Sequence, residues 1–273
     1  MKFGINLAPT ADSWKIVKRA EELGFDCAWF IDSQMINTDV FVAMAAAAVE
    51  TSRIRLGTGV LIPSNRIAPV AANALASLNA LAPGRINFGV STGFTGRRAM
   101  GLGAIKLADM EEYIRVVLAL LRRDTVEWNF EGNRRKIRFL NPEIDLVNTT
   151  DPIALYISAF GPKGQALTAK FGAGWINSVG NVDRAAEAVS AMRRAWREAG
   201  RDERQMDAVA VCGGCVLKER ESYDSPRAKA QAGPAATIAL HNLAEQREFG
   251  TIGLKRREAI VLEREKDLLE SPA

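Results

Sequence analysis

The chain has 273 residues, 36 Lys plus Arg against 32 Asp plus Glu for a formal charge of +4, and a hydrophobic fraction of 48%. That length suits one large α/β domain or two small ones, and the composition is that of an ordinary soluble globular protein. It excludes three classes: no apolar stretch spans a bilayer, the basic excess is scattered rather than striped as nucleic-acid binding needs, and three cysteines make no disulfide framework.

Met1 to Asn6 enters a strand pattern at once, without a signal or transit peptide, so a cytoplasmic location is expected. The pattern predicts a strand over Lys2–Leu7, an amphipathic helix over Ala11–Leu23 ending at Gly24, and a strand over Asp26–Ile31. An Ala-rich helix over Val40–Ser52, a strand over Ile54–Leu61 and a helix over Pro69–Leu81, stopped by Pro83-Gly84, come next. Strand Ile86–Ser91 and helix Leu107–Arg122 complete the regular first half. Residues 125–140 break the rhythm with two strands joined through Glu131-Gly-Asn133, a hairpin excursion.

The rhythm then resumes with strand Ile153–Ser158, helix Lys163–Phe171, strand Gly174–Asn177, helix Val182–Ala199 and a seventh strand over Ala208–Leu217. That last strand carries Cys212 and Cys215, which read as buried core thiols rather than a redox or metal pair. Ser222–Phe249 reads as helix interrupted at Gly233-Pro234, with His241 in a surface or packing position. Leu254–Leu269 reads as a charged helix, and no clear eighth strand is present. The fold class is α/β, a TIM-type (β/α) barrel in one domain over 1–273. It carries the hairpin insertion, an eighth βα unit that is abbreviated or built differently, and an atypical segment at 250–273. An open doubly wound sheet shares the βα rhythm and is the alternative.

Several strand ends carry glycines and hydroxyls just before a helix. Leu56–Pro63 and Phe88–Gly96 are two such stretches in succession, a composition that suits a phosphate-bearing planar cofactor. Ser91, Thr92 and Gly93 supply hydroxyls and a pliant backbone. Ser158, Ala159, Gly161, Pro162 and Lys163 form a second candidate contact, with Pro162 opening a helix whose N-terminus attracts anions. Asn177 ends a strand at the same face. Ordinary βα turn chemistry would use the same residues.

Four segments, in order and at this spacing, carry a family likeness. They are Ala28-Trp-Phe-Ile-Asp-Ser-Gln34, Arg55-Leu-Gly-Thr-Gly-Val60, Gly84 to Gly93, and Leu155 to Lys163 leading into Gly172-Ala-Gly-Trp175. The chain resembles the bacterial luciferase-like superfamily of flavin- and deazaflavin-dependent oxidoreductases. Within it, the likeness is to the coenzyme F-420-dependent branch typified by methylene-tetrahydromethanopterin reductase. It runs from Met1 to about Asn177 and fades after about Gly250.

The resemblance implies hydride transfer between a deazaflavin, coenzyme F-420, and a small organic substrate, in a homodimer. An FMN-dependent monooxygenase is the first alternative, and a non-catalytic flavin-binding or subunit-partner homologue the second. It places Asp32 and Ser33 at the catalytic position, where relatives often have Asp-His or Glu-His against the cofactor ring. Ser33 in place of that His is a poor proton source, and Asp32 alternatively caps the following turn. The resemblance also puts Gly59-Val60 where the family has a bulge, often with a cis peptide supporting the ring face; a plain buried strand end is the alternative reading. FMN-using relatives often have Arg where this chain has Thr92. Arg97 and Arg98 either meet the coenzyme's acidic tail or stand exposed at a helix start.

Overall fold

Seven short parallel strands alternate with helices along the first 211 residues. In chain order the strands are β1 (Gly4–Leu7), β2 (Cys27–Phe30), β3 (Arg55–Thr58) and β4 (Ile86–Val90), then β5 (Val126–Phe130) and β6 (Asn133–Ile137), and then β7 (Ala154–Ser158), β8 (Gly174–Ser178) and β9 (Ala208–Val211). The helices are α1 (Trp14–Glu22), α2 (Val40–Glu50), α3 (Ala68–Leu81), α4 (Thr95–Arg98), α5 (Leu107–Leu121), α6 (Pro162–Phe171) and α7 (Val182–Glu198). β5 and β6 pair only with each other, as an antiparallel hairpin; the rest form one sheet in the order β1-β2-β3-β4-β7-β8-β9. This computed structural model describes residues 1–93, 95–98, 100–233 and 235–236. They fall in two compact units, Met1–Val211 and Cys212–Ala273.

The first unit is a nearly closed barrel of TIM type, with β1 and β9 as unpaired edges and no eighth strand among the described residues. Alternation along each strand sorts side chains to two sides. Phe30, Leu56, Ile86, Phe88, Val90, Ile157 and Trp175 point outward and join the helices in one continuous core. Trp29, Tyr156 and Ile176 point inward and fill the lumen. Trp29 and Tyr156 meet edge to face with ring centroids 5.0 Å apart, an arrangement worth about 0.5–1.5 kcal/mol beyond its buried area. Each ring faces a glycine. A Cβ on Gly57 would lie 2.6 Å from the Trp29 ring, and one on Gly174 would overlap the Tyr156 ring.

The helices form where apolar residues recur at helical spacing. On α2, Val40, Ala43, Met44, Ala47 and Ala48 are buried. Asp39 caps that helix by accepting from the N–H groups of Phe41 (2.9 Å) and Val42 (3.3 Å), a contribution of about 1 kcal/mol. Arg85 answers the other end by donating to the carbonyls of Ala48 and Thr51, each at 3.0 Å.

One predicted strand is too long. β9 stops at Val211, Cys212 is exposed and Cys215 half-buried, and both thiols are free. The Gly213-Gly214 pair lacks side chains to hold the pleat, so the run to Leu217 neither extends as strand nor buries these thiols. In the second unit, residues 226–233 are helical and Arg227 pairs with Glu221. His241, the rest of the helix expected to Phe249 and the whole of 250–273 lie outside the described residues.

Candidate active site

Parallel strands in a barrel deliver all their carboxyl ends to one mouth, where the βα loops gather. That register places Asp32–Ser33, Gly59–Val60, Ser91–Gly93 and Ser158–Lys163 around a single rim. The Gly59-Val60 peptide is cis, as the resemblance implied. It is pinned by the Gly59 N–H donating to the Phe30 carbonyl at 2.6 Å and by the Leu61 N–H donating to the Gly89 carbonyl at 2.8 Å. A Cβ on Gly59 would sit 2.9 Å from the Trp29 Cβ and 3.5 Å from the Asn6 Oδ1. Asn6, exposed on β1, therefore stands beside the cis peptide at the mouth. Sequence reasoning missed it, because a lone Asn in a strand carries no motif.

Asp32 is buried, and its carboxylate is fully engaged by the protein. It accepts from the Ile62 N–H at 3.2 Å, from Asn65 Nδ2 at 3.3 Å and from Arg66 Nη1 at 3.2 Å on both oxygens. Arg66 also pairs with Asp39 and lies over the Phe41 ring, 4.9 Å from its centroid. These two carboxylates raise the Arg66 pKa against the opposing effect of burial. Gln34 extends the network, accepting from Asn65 Nδ2 at 2.5 Å and donating to the Gly96 carbonyl. Asp32 is thus the anchor of the loop that follows the cis peptide. Ser33 is buried beside it, and its hydroxyl makes no hydrogen bond with the described residues.

Ser91 and Ser158 converge: the Ser91 hydroxyl donates to the Ser158 carbonyl at 3.1 Å, tying the ends of β4 and β7 together. Thr92 is half-buried next to it, and Gly93 turns with φ +76°, where a Cβ would press on Ile62 at 2.7 Å. Arg97, on the short helix α4, is half-buried and donates to the Gly103 carbonyl. On the other side of the rim, Trp175 Nε1 donates to the Ala159 carbonyl at 2.7 Å and fixes the turn into α6. Gly161 is the N-cap of α6, with no side-chain cap, Pro162 follows it, and a Cβ on Gly161 would meet nothing within 4 Å. No side chain therefore caps the start of α6, and the space beside the Gly161 Cα is unfilled. Asn177 shares a strand face with Trp175, away from the lumen; Ser178 is the residue on the inward face.

Residues 6–268 match the family described as luciferase-like monooxygenase. The chain belongs to that family. Within this luciferase-like family it is 30% identical over 245 residues to a 5,10-methylenetetrahydromethanopterin reductase of Methanolobus tindarius, covering 88% of this chain and 71% of the relative. It is 29% identical over 250 residues to an F-420-dependent glucose-6-phosphate dehydrogenase of Kineococcus radiotolerans, covering 84% of this chain and 69% of that protein. The relatives are named oxidoreductases, and the chain spans about two thirds of their length. Among solved structures, the coenzyme F-420-dependent tetrahydromethanopterin reductase of Methanopyrus kandleri shares the fold. Its TM-score is 0.70 at 23% identity, covering 88% of this chain and 72% of that one.

Proposed function

We propose that this chain is an oxidoreductase that binds coenzyme F-420 across the barrel mouth and transfers a hydride between it and a small organic substrate. One observation carries the reading: the Gly59-Val60 strand end, the Ser91–Gly93 turn and the uncapped start of α6 share one rim. A relative named for its F-420 dependence supports the choice of deazaflavin. So does Thr92, at a position where the resemblance puts Arg in FMN users.

The residues fit such a group. Gly59 and Val60 leave a side-chain-poor ledge above Trp29 that suits a flat ring, and the space beyond Gly161 suits a phosphate on the N–H groups of α6. When bound, the deazaflavin supplies the hydride-carrying carbon. The chain's part is positional. Asp32 and Arg66 hold the ledge loop in place, Ser91 and Thr92 offer hydroxyls to the coenzyme's side chain, and Lys163 adds a positive charge at the tail. Asn6 and Ser33 are the side chains that would meet the substrate, with Ser33 as a hydrogen-bond donor.

We further propose a homodimer. Across α2 and α3, Glu50 is the single charged residue, yet Val42, Val49, Val70 and Leu81 are exposed. An apolar helical face with one charge at its edge suits a second copy.

Fluorescence titration with coenzyme F-420 and, separately, with FMN tests the cofactor. Micromolar affinity for F-420, weakened by Gly161→Ala, is expected. A preference for FMN moves the assignment to a monooxygenase on the same fold, and binding of neither by folded protein overturns the enzyme reading.

A further inference from the structure

Two adjoining hollows lie away from the mouth, on the side of the barrel where α5 ends. One, of about 120 Å³, is walled by Asn73 of α3, Arg123 just past α5 and the segment 139–149. The other, of about 460 Å³, lies between Thr125 and residues 136–138. Leu140 lines both. α5 starts near the mouth and has 15 residues, so these hollows are about 20 Å from the Ser91–Gly93 turn along its axis.

Their charges are unequal. In the smaller hollow, Arg123 is engaged: it donates to Thr149 Oγ1 at 2.6 Å and to Asp145 Oδ1 at 3.1 Å. In the larger one the cations are free. The pleat puts Arg134, Lys136 and, two residues on, Arg138 on one side of β6, at intervals of about 6.6 Å. The facing strand supplies one carboxylate on that side. Glu127 stands opposite Lys136 in register, but its partner is Arg134. Lys136 and Arg138 are left with neither an ion pair nor a hydrogen bond among the described residues. Two unpaired cations about 6.6 Å apart repel each other. An anion between them would relieve that repulsion and gain charge-assisted hydrogen bonds.

The remaining lining narrows the class of ligand. Thr125 contributes a hydroxyl and Ile137 apolar surface, and Leu140 carries the apolar surface on into the smaller hollow. We propose that this hollow is a second binding site, separate from the mouth, for a small organic anion: a carboxylate or phosphate monoester with an apolar body. Lys136 and Arg138 hold the anionic group, and Leu140 packs the apolar part. The site stands independently of which cofactor the mouth accepts.

Phenyl phosphate is the probe, titrated calorimetrically into the full chain at fixed ionic strength, with benzoate and inorganic phosphate in parallel. Saturable binding is expected for phenyl phosphate, benzoate or both, and weaker binding for inorganic phosphate. The double variant Lys136→Ala/Arg138→Ala, both at exposed positions, should weaken it by about tenfold or more, while Arg134→Ala, which frees Glu127 to face Lys136, should weaken it to a smaller degree. Circular dichroism checks that each variant is folded. Three results would overturn the proposal: equal affinity in the double variant, equal affinity for inorganic phosphate, or loss of binding in Gly161→Ala instead.

Discussion

Arg66 Nη1 lies 3.2 Å from both carboxylate oxygens of Asp32, thirty-four residues earlier in the chain. Asp32 is 3% exposed and Arg66 15%, so the pair is a largely buried charge couple that joins the end of β2 to the loop behind the cis peptide. A carboxylate engaged in this way positions the ledge and is a poor candidate for handing a proton to substrate.

Removing one partner of such a couple leaves the other charge buried and alone. Arg66→Met should destabilise the protein by about 3 kcal/mol, towards the low end for buried pairs because Arg66 reaches solvent. Urea unfolding measures this. A loss below about 0.5 kcal/mol, the scale of an ordinary surface change, would contradict the anchoring role.

Two glycines at the rim should behave oppositely. A Cβ on Gly89 would collide with the Thr58 carbonyl oxygen, whereas one on Gly161 meets open space. Gly89→Ala should cost about 1–3 kcal/mol in overpacking. Gly161→Ala should leave the melting temperature unchanged while weakening the coenzyme titration. If both variants melt alike, the rim geometry is wrong.

Tyr156 should keep its proton well above the usual phenol range. Burial is the main cause, followed by its 2.6 Å hydrogen bond to Asp207. Because the folded-state pKa is raised, this group's contribution to stability is complete below pH about 10 and lost as pH rises further. Tyr156→Phe should cost about 1 kcal/mol at neutral pH and remove one late-ionising step from an absorbance titration. An unchanged alkaline profile would count against the buried phenol.

Glu221 in the second unit responds to acid. The Arg227 guanidinium, the Lys218 N–H and the Ser225 hydroxyl bring its carboxyl from 4.5 down to about 2. Its folded-state pKa is depressed, so its support is present above pH 4.5 and is lost as pH falls towards 2. Hydrogen-exchange protection factors across residues 218–228, taken relative to the intrinsic rate at each pH, should fall within that window, and Glu221→Gln should flatten that fall. A protection factor that stays constant from pH 4.5 to 2 in the wild type would rule the pair out as a local clamp.

The apolar face of α2 and α3 gives the proposed homodimer a direct check. Val42→Lys combined with Val70→Lys should convert a dimer into a folded monomer in sedimentation velocity. A wild type already monomeric at micromolar concentration would refute that assembly.

The barrel was legible because its signals are local. Apolar alternation and Gly/Pro punctuation placed β1 to β4 and α1 to α3 within three residues, and the Glu131-Gly-Asn133 turn marked the hairpin. β9 was overextended because Val-Cys-Gly-Gly-Cys-Val keeps apolar residues where the glycines end the pleat. The rim glycines and serines were also readable, since their chemistry depends on backbone position. Arg66, Asn65 and Gln34 were not, because they sit in polar loops and acquire meaning only when three loops meet at Asp32. Nor was Asn177's outward direction: it depends on the pleat phase set by Trp175.

The lumen's pairing of ring with glycine makes certain positions interdependent. Trp29 occupies the volume Gly57 vacates, and Tyr156 the volume Gly174 vacates. Size is therefore conserved over each pair rather than at each residue. An alanine at position 57 is harmful beside tryptophan but tolerable beside leucine at 29, so the two substitutions should be strongly non-additive. Redesign of the barrel floor has to proceed by exchanging bulk between partners, one pair at a time.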